Sequence, residues 1–286
     1  MNSPGRISRR TLLASPATLA AGPQAETLRA IDCHAHLTHR SNPAWERLDR
    51  ALIDAADKLG IERLCCSTLP PRRPATPRSW RECNEWTAGS VRRHRGRVLG
   101  WVHVNPGYRE ALEDTRRLVE DQGFIGVKLY NEYRADEPVL FPLVELCIQL
   151  RVPILHHAGH TMWLQQSQPR ISDGSHFAEL ARRYPEAAII CAHVCGGGDW
   201  EWEIKSLRNS PSVYLDTSGS VADEGVIEMA VKTLGANRVV FGCDMSMTAS
   251  VGRLTGARIP ESDRAAIARG NMERILALRG TGKGSR

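Results

Sequence analysis

From Arg29 to the C-terminus, short apolar runs alternate with longer amphipathic stretches eight times, and this alternation restricts the fold more than anything else in the chain. A short run rich in Val, Ile, Leu or Cys suits a strand buried on both faces. The amphipathic stretch after it suits a helix laid over a parallel sheet. The runs predict strands over 30–36, 61–67, 97–104, 124–130, 152–157, 187–193, 212–216 and 238–243. Helices are expected over 45–59, 79–93, 107–122, 138–150, 174–184, 199–209, 221–235 and 261–278. In 107–122, for example, Leu112, Leu118 and Val119 share one face while Arg109, Glu113, Arg116, Arg117 and Glu120 cover the other. Eight units without an interdomain linker predict a single-domain α/β fold, a closed (β/α)8 TIM barrel over residues 28–280. An open doubly wound sheet would use about five or six strands, and no dinucleotide glycine fingerprint follows the first run. The long loops at 68–78 and 245–261 carry Pro and Gly and are expected on the functional face.

The net charge of +6 owes part of its excess to the run Arg92-Arg93-His94-Arg95-Gly96-Arg97. No aromatic platform or nucleic-acid motif accompanies it, so it reads as a solvated helix end and turn. No nucleic-acid partner is expected; a mild attraction for anionic small molecules is. The eight cysteines show no paired spacing, and Cys33, Cys65, Cys66, Cys191 and Cys243 fall inside predicted strands as small buried hydrophobes. No apolar run approaches the ~20 residues of a membrane-spanning helix, so no stable membrane insertion is expected. At the N-terminus, Ser8-Arg9-Arg10-Thr11-Leu12-Leu13 precedes an Ala-rich stretch ending near Ala20-Ala21-Gly22. This resembles a twin-arginine export signal over residues 1–27, with a disordered basic tail on a cytoplasmic protein as the alternative.

Each of several apolar runs is closed by a residue that can bind metal. His34 and His36 sit two apart in the first run, so they share one face of a strand. His157, His193 and Asp244 end the fifth, sixth and eighth runs. In a parallel barrel all C-terminal strand ends open on one rim, where His36, His157, His193 and Asp244 would converge. Neutral imidazoles and a carboxylate suit one divalent ion such as Zn2+, which lowers the pKa of bound water from 15.7 to about 7. His156 and His157 compete for the strand-5 position because neighbours point to opposite faces; register against Pro153 and Gly159 favours His157. His160 lies in the following loop, and His103 and His176 read as structural.

The His34-Ala35-His36, His157, His193 and Phe241-Gly242-Cys243-Asp244 set resembles the amidohydrolase superfamily over residues 30–278. Gly126-Val127-Lys128-Leu129-Tyr130, Ala192-His193-Val194-Cys195-Gly196-Gly197 and Gly270-Asn271-Met272-Glu273-Arg274-Ile275-Leu276 are similar to its amidohydrolase-related branch. That branch contains hydrolases and nonoxidative decarboxylases such as aminocarboxymuconate semialdehyde decarboxylase. The resemblance implies that His34, His36, His157 and Asp244 bind one metal, that Asp244 also touches its water, and that His193 is the general acid/base. Lys128 raises a binuclear alternative, since some members bridge two metals with a carboxylated lysine at strand 4; in that pattern the lysine falls at Gly126. Otherwise Lys128 would bind a substrate carboxylate or pair with an acid. Arg72, Arg73, Arg78 and Arg134 are candidate grips for an anionic substrate, and Trp163 a candidate apolar wall. The implied activity is metal-dependent hydrolysis of a small ester, lactone or amide, with nonoxidative decarboxylation of a small carboxylic acid as the alternative.

Overall fold

A computed structural model describes residues 28–279 apart from 195, 197, 220 and 222. The twin-arginine segment therefore lies outside the described residues. Eight parallel strands run in chain order: β1 Ala30–Leu37, β2 Ile61–Thr68, β3 Val98–His103, β4 Gly126–Leu129, β5 Ile154–His156, β6 Ile189–Cys191, β7 Val213–Asp216 and β8 Val239–Val240. Beyond β8 the chain closes the barrel onto β1, through Cys33 N–H to the Phe241 carbonyl (2.9 Å) and Asp244 N–H to the His34 carbonyl (2.6 Å). The expected (β/α)8 barrel is what the chain forms.

The helices are α1 Trp45–Lys58, α2 Pro77–Arg93, α3 Glu110–Gln122, α4 Phe141–Leu150, α5 Met162–Ser167, α6 Gly174–Arg183, α7 Trp200–Ser206, α8 Val226–Leu234, α9 Met247–Gly256, α10 Glu261–Ala265 and α11 Asn271–Ala277. Local chemistry sets several boundaries. Thr76 caps α2 by accepting from Ser79 N–H, Pro77 opens its first turn, and Asp173 caps α6 by accepting from Ser175 N–H. Gly123, left-handed at φ 74°, ends α3.

Two apolar layers hold the sheet. Val98, Val102, Val127, Leu129, Ile189, Leu215 and Phe241 pack outward against the helices. Ile31, Cys33, Cys65, Trp101, Leu155, Ile190 and Val240 fill the barrel, and Met272 and Ile275 of α11 join them. Trp101 donates Nε1–H across this interior to the Cys33 carbonyl at 2.9 Å.

The sequence expectations need three corrections. Residues 261–278 are not one helix: a π-helical turn, Ala266–Gly270, separates α10 from α11. The loop expected at 245–261 holds α9, and the connection after β5 holds α5. The late strands are shorter than their apolar runs, because His157, His193 and Asp244 turn out of the ladder at the rim.

Candidate metal centre

Strict alternation would put Cys33 and His34 on opposite faces. Register against β2 shifts between Asp32 and Ala35, with three residue steps on β1 facing two on β2. This extra residue is a bulge, which lets Cys33 enter the barrel interior while His34 and His36 both face the rim. At the other end of the sheet, His193 and Asp244 have positive φ angles of 68° and 54°. Non-glycine residues rarely adopt that conformation, and here it aims both side chains into the mouth.

One donor atom each from His34, His36 and Asp244 lies within 4.8 Å of the others. The hydrogen bonds around them fix which nitrogen is free. His34 Nδ1–H donates to Asp216 Oδ2 at 2.7 Å, leaving the Nε2 lone pair open to the centre, where the Lys128 ammonium donates to it at 3.0 Å. His36 Nδ1 lies 3.1 Å from the Ser67 hydroxyl, which can accept or donate, and 3.3 Å from the Ser67 carbonyl, which only accepts; a proton on Nδ1 satisfies both contacts. Its Nε2 lone pair then faces Asp244 Oδ1 at 3.3 Å.

Burial pushes the His36 imidazole down to about 3 and lowers His34 well below the usual histidine range, so both are neutral at physiological pH. Two acceptors, an imidazole lone pair and a carboxylate oxygen, thus point at each other, an arrangement that a cation between them relieves. Buried His–carboxylate and His–carbonyl bonds behind metal-facing nitrogens are the usual support for such ligands. The residues fit a divalent ion.

His157 stands one ring further out. Its Nε2–H donates to Gln168 Oε1 at 3.2 Å, and its Nδ1 accepts from His193 Nε2–H at 2.9 Å. His193 Nδ1 in turn accepts from the Ser218 hydroxyl at 2.9 Å and lies 3.7 Å from Asp244 Oδ2. The structure therefore gathers His34, His36 and Asp244 as candidate donors, places His193 against them, and ties His157 to His193. His156 faces the helices instead, its ring edge-on to Phe177 of α6.

Lys128 is fully buried, and desolvation lowers its ammonium to about 8 against the opposing pull of Asp244 and Asp216. A Cβ at Gly126 would lie 2.2 Å from the Pro153 carbonyl oxygen, so no side chain fits where the binuclear pattern places its bridging lysine. Among the arginines expected to grip an anion, Arg73 reaches the site. Its guanidinium lies 4.0 Å over the Tyr130 ring, which stacks on His157 at 4.2 Å. Arg134 instead bonds the Pro169 carbonyl, and Arg78 pairs with Glu82 at the surface. Trp163 is 70% exposed.

Sequence reasoning missed Asp216 and Ser218, which hold His34 and His193. Asp216 had left a signal, since it closes the Val213-Tyr214-Leu215 run as Asp244 closes its own.

A parallel eight-stranded barrel carrying such a donor cluster at its C-terminal rim defines the class of metal-dependent (β/α)8 enzymes. Within it, the chain belongs to the amidohydrolase family, whose model matches residues 31–278. No curated relative matches the sequence. Among solved structures, it is similar to dihydroxybenzoic acid decarboxylase from Polaromonas sp. JS666 with bound manganese and the inhibitor 2-nitroresorcinol. Identity is 18% and TM-score 0.68, covering 87% of this chain and 97% of that one. It is also similar to 5-carboxyvanillate decarboxylase from Sphingomonas paucimobilis (16%, TM-score 0.69, 87% and 99% covered). A third is 4-oxalomesaconate hydratase from Rhodopseudomonas palustris (14%, TM-score 0.67, 88% and 97% covered). At these identities the likeness speaks to the fold. No helix among the described residues is long and apolar enough to cross a membrane.

Proposed function

We propose that this protein is a metal-dependent nonoxidative decarboxylase of a small carboxylic acid. The observation that carries the reading is the buried Lys128 ammonium, 3.0 Å from His34 Nε2 at the floor of the donor cluster. A fixed cation there suits a substrate whose reacting group is a carboxylate. The decarboxylases among the similar structures support the same choice over hydrolysis.

His34, His36 and Asp244 would hold one divalent ion, zinc or manganese, with His157 as fourth donor once released from its bond to His193. Bound there, the ion would supply Lewis-acid polarisation of a substrate oxygen. Lys128 orients the carboxylate. When the bond from carbon to carboxylate breaks, the electron pair stays on carbon and CO2 leaves; His193 takes one proton from solvent water and delivers one to that carbon, so the imidazole ends neutral as it began. Burial holds the His193 imidazole well below its ordinary pKa, so a proton it acquires is readily passed on. Asp244, between His36 and His193, favours hydrolysis as a second reading, because a carboxylate so placed can also orient a water and take its proton.

The test is product analysis of the metal-loaded protein on a panel of aromatic and unsaturated carboxylic acids, esters and lactones. Decarboxylation gives CO2 and, in D2O, deuterium on the former carboxylate-bearing carbon. Incorporation of solvent oxygen into product without CO2 would replace this reading with the hydrolytic one. The proposal also takes residues 8–13 as an export signal, checked by cell fractionation with and without the two arginines.

A further inference from the structure

Ser218 is fully buried, and its hydroxyl lies 2.9 Å from His193 Nδ1 and 3.3 Å from His34 Nδ1. His34 Nδ1 carries the proton that it gives to Asp216, so toward His34 the hydroxyl accepts. Its own hydrogen is left for His193 Nδ1. The other nitrogen of that ring, Nε2, points to His157 and is free to turn to other work once His157 lets go. Whichever protons the ring carries, the hydroxyl can answer Nδ1: it donates to a bare nitrogen and, rotated, accepts from a protonated one. A carboxylate or an ammonium at the same place could serve only one of those states.

The turn that carries Ser218 is held from two sides. From α9, Arg253 donates to the carbonyls of Thr217 at 2.6 Å and Gly219 at 2.7 Å, the residues flanking Ser218, and to the Val221 carbonyl at 3.0 Å. One planar cation thus spans the turn. From the β6 side, Gly196 comes so near that a Cβ there would lie 3.0 Å from Gly219 Cα. Gly219 has a φ of 115°, which side-chain-bearing residues rarely adopt. Two glycines therefore let the His193 turn and the Ser218 turn touch, and the guanidinium keeps the second of them in place.

We propose that Ser218 and Arg253 are positioning residues for proton delivery: the serine anchors His193 at Nδ1 so that Nε2 is the nitrogen that exchanges protons in the mouth, and Arg253 holds the serine. That the proton goes to a carbon losing CO2 rests on the decarboxylase reading; the anchoring of Nδ1 does not.

Nitrogen NMR of the zinc-loaded protein labelled with 15N-histidine tests the anchoring without any substrate, with His193 assigned from the signals lost in His193→Gln. The wild type should show a bare Nδ1 and a protonated Nε2. Ser218→Ala removes the donor and leaves Nδ1 3.7 Å from Asp244 Oδ2, so a form protonated at Nδ1 should appear. Ser218→Thr keeps the hydroxyl and should restore the wild-type signals. Arg253→Lys, which cannot span three carbonyls, should shift them as alanine does but less. Zinc affinity of Ser218→Ala, by competition with a chelating dye, should stay near wild type because the Asp216 bond to His34 is intact. With any acid of the panel that releases CO2, Ser218→Ala should lower kcat by about 10–100-fold at little change in KM, and Ser218→Thr should recover most of it. Wild-type signals in Ser218→Ala, a defect that threonine does not repair, or a zinc loss as large as that of Asp216→Asn would overturn the proposal; wild-type signals in Arg253→Lys would overturn its second half. A tautomer shift in a protein that releases no CO2 keeps the anchor and sinks the decarboxylase reading. CO2 release with a tautomer that never moves does the reverse.

Discussion

His34 is held at both ring nitrogens, and the two contacts make different predictions. Asp216 takes the Nδ1 proton in a fully buried bond of 2.7 Å, fixing the tautomer that offers Nε2 to an ion. Asp216→Asn should therefore weaken metal binding by about 10–100-fold without removing a ligand, measured by competition with a chelating dye. Lys128 works against the ion from the other side. As a buried ammonium lowered to about 8, it carries its charge below that pH and loses it above. A charged Lys128 beside His34 Nε2 repels a cation, so apparent metal affinity should rise as pH passes from 7 to 9. Lys128→Met should flatten that rise; an unchanged slope would mean that the pH dependence comes from another group. At this scale the sequence was legible in the two-residue spacing of His34 and His36 and where a polar side chain closes an apolar run, as at His193 and Asp244; the same rule put His157 among the ligands, and the structure ties it to His193 instead. The bonds of Ser218 and Gln168 were not legible, because a hydroxyl or amide in a loop carries no spacing that marks its partner.

The connection from β5 to α6 leaves the barrel and returns to it, and it is pinched where it leaves. Gly159 N–H donates to the Ser172 carbonyl at 2.8 Å, and His160 Nδ1 and His176 Nδ1 lie 2.8 and 2.9 Å from the two oxygens of Asp173. Between its ends lie α5 and Gln168, which is tied as well to His157 and Asn131, so the clamp closes the base of a segment that has further anchors along its length. Burial alone would raise Asp173, but hydrogen bonds from His176, Ser175 and His160 outweigh it and hold its carboxyl well below the usual range. The same bond to Asp173 raises His176 above 6.5. The Asp173 contribution is complete above its unfolded value of 3.8 and is lost as pH falls through the depressed folded value. That of His176 is complete below 6.5 and is lost as pH rises through its raised value. The clamp should thus hold best between these limits. Amide exchange across 159–172 should speed up as pH climbs past neutrality by more than the intrinsic rate, and Asp173→Asn should abolish the excess. Elements such as this were the least readable part of the chain. In α9, Gly252, Gly256 and several Ser and Thr residues disguise a helix whose order comes from tertiary contacts. Leu254 is buried there, and Arg253 donates to the carbonyls of Thr217, Gly219 and Val221.

For the whole molecule, the candidate ligands come from the two ends of the barrel. His34 and His36 belong to β1 and Asp244 follows β8, so an ion between them ties the first strand to the last across the closing edge of the sheet. The protein already spans that edge with Asp32, whose Oδ1 accepts from both His34 N–H and Cys243 N–H at 2.9 Å. Eight alternating runs made the barrel legible in the sequence, but nothing in them says that closure and metal site share one edge; that follows from the bulge in β1 and the turn at Asp244. A ligand that binds the folded state alone stabilises it by mass action, about 2.7 kcal/mol at a hundred times its Kd. For a chain of this size that is an increase in Tm of roughly 5–10 °C. Saturating zinc or manganese should give such a shift in the wild type, and EDTA should reverse it. Asp244→Asn should shrink the shift, because an amide is a weaker ligand at the same position. Hydrogen exchange locates the effect: protection should rise most at the Cys33 and Asp244 amides, which close the edge, and least in β3, which carries no candidate donor. A metal-induced shift spread evenly over the sheet, or one retained in full by Asp244→Asn, would place the ion elsewhere.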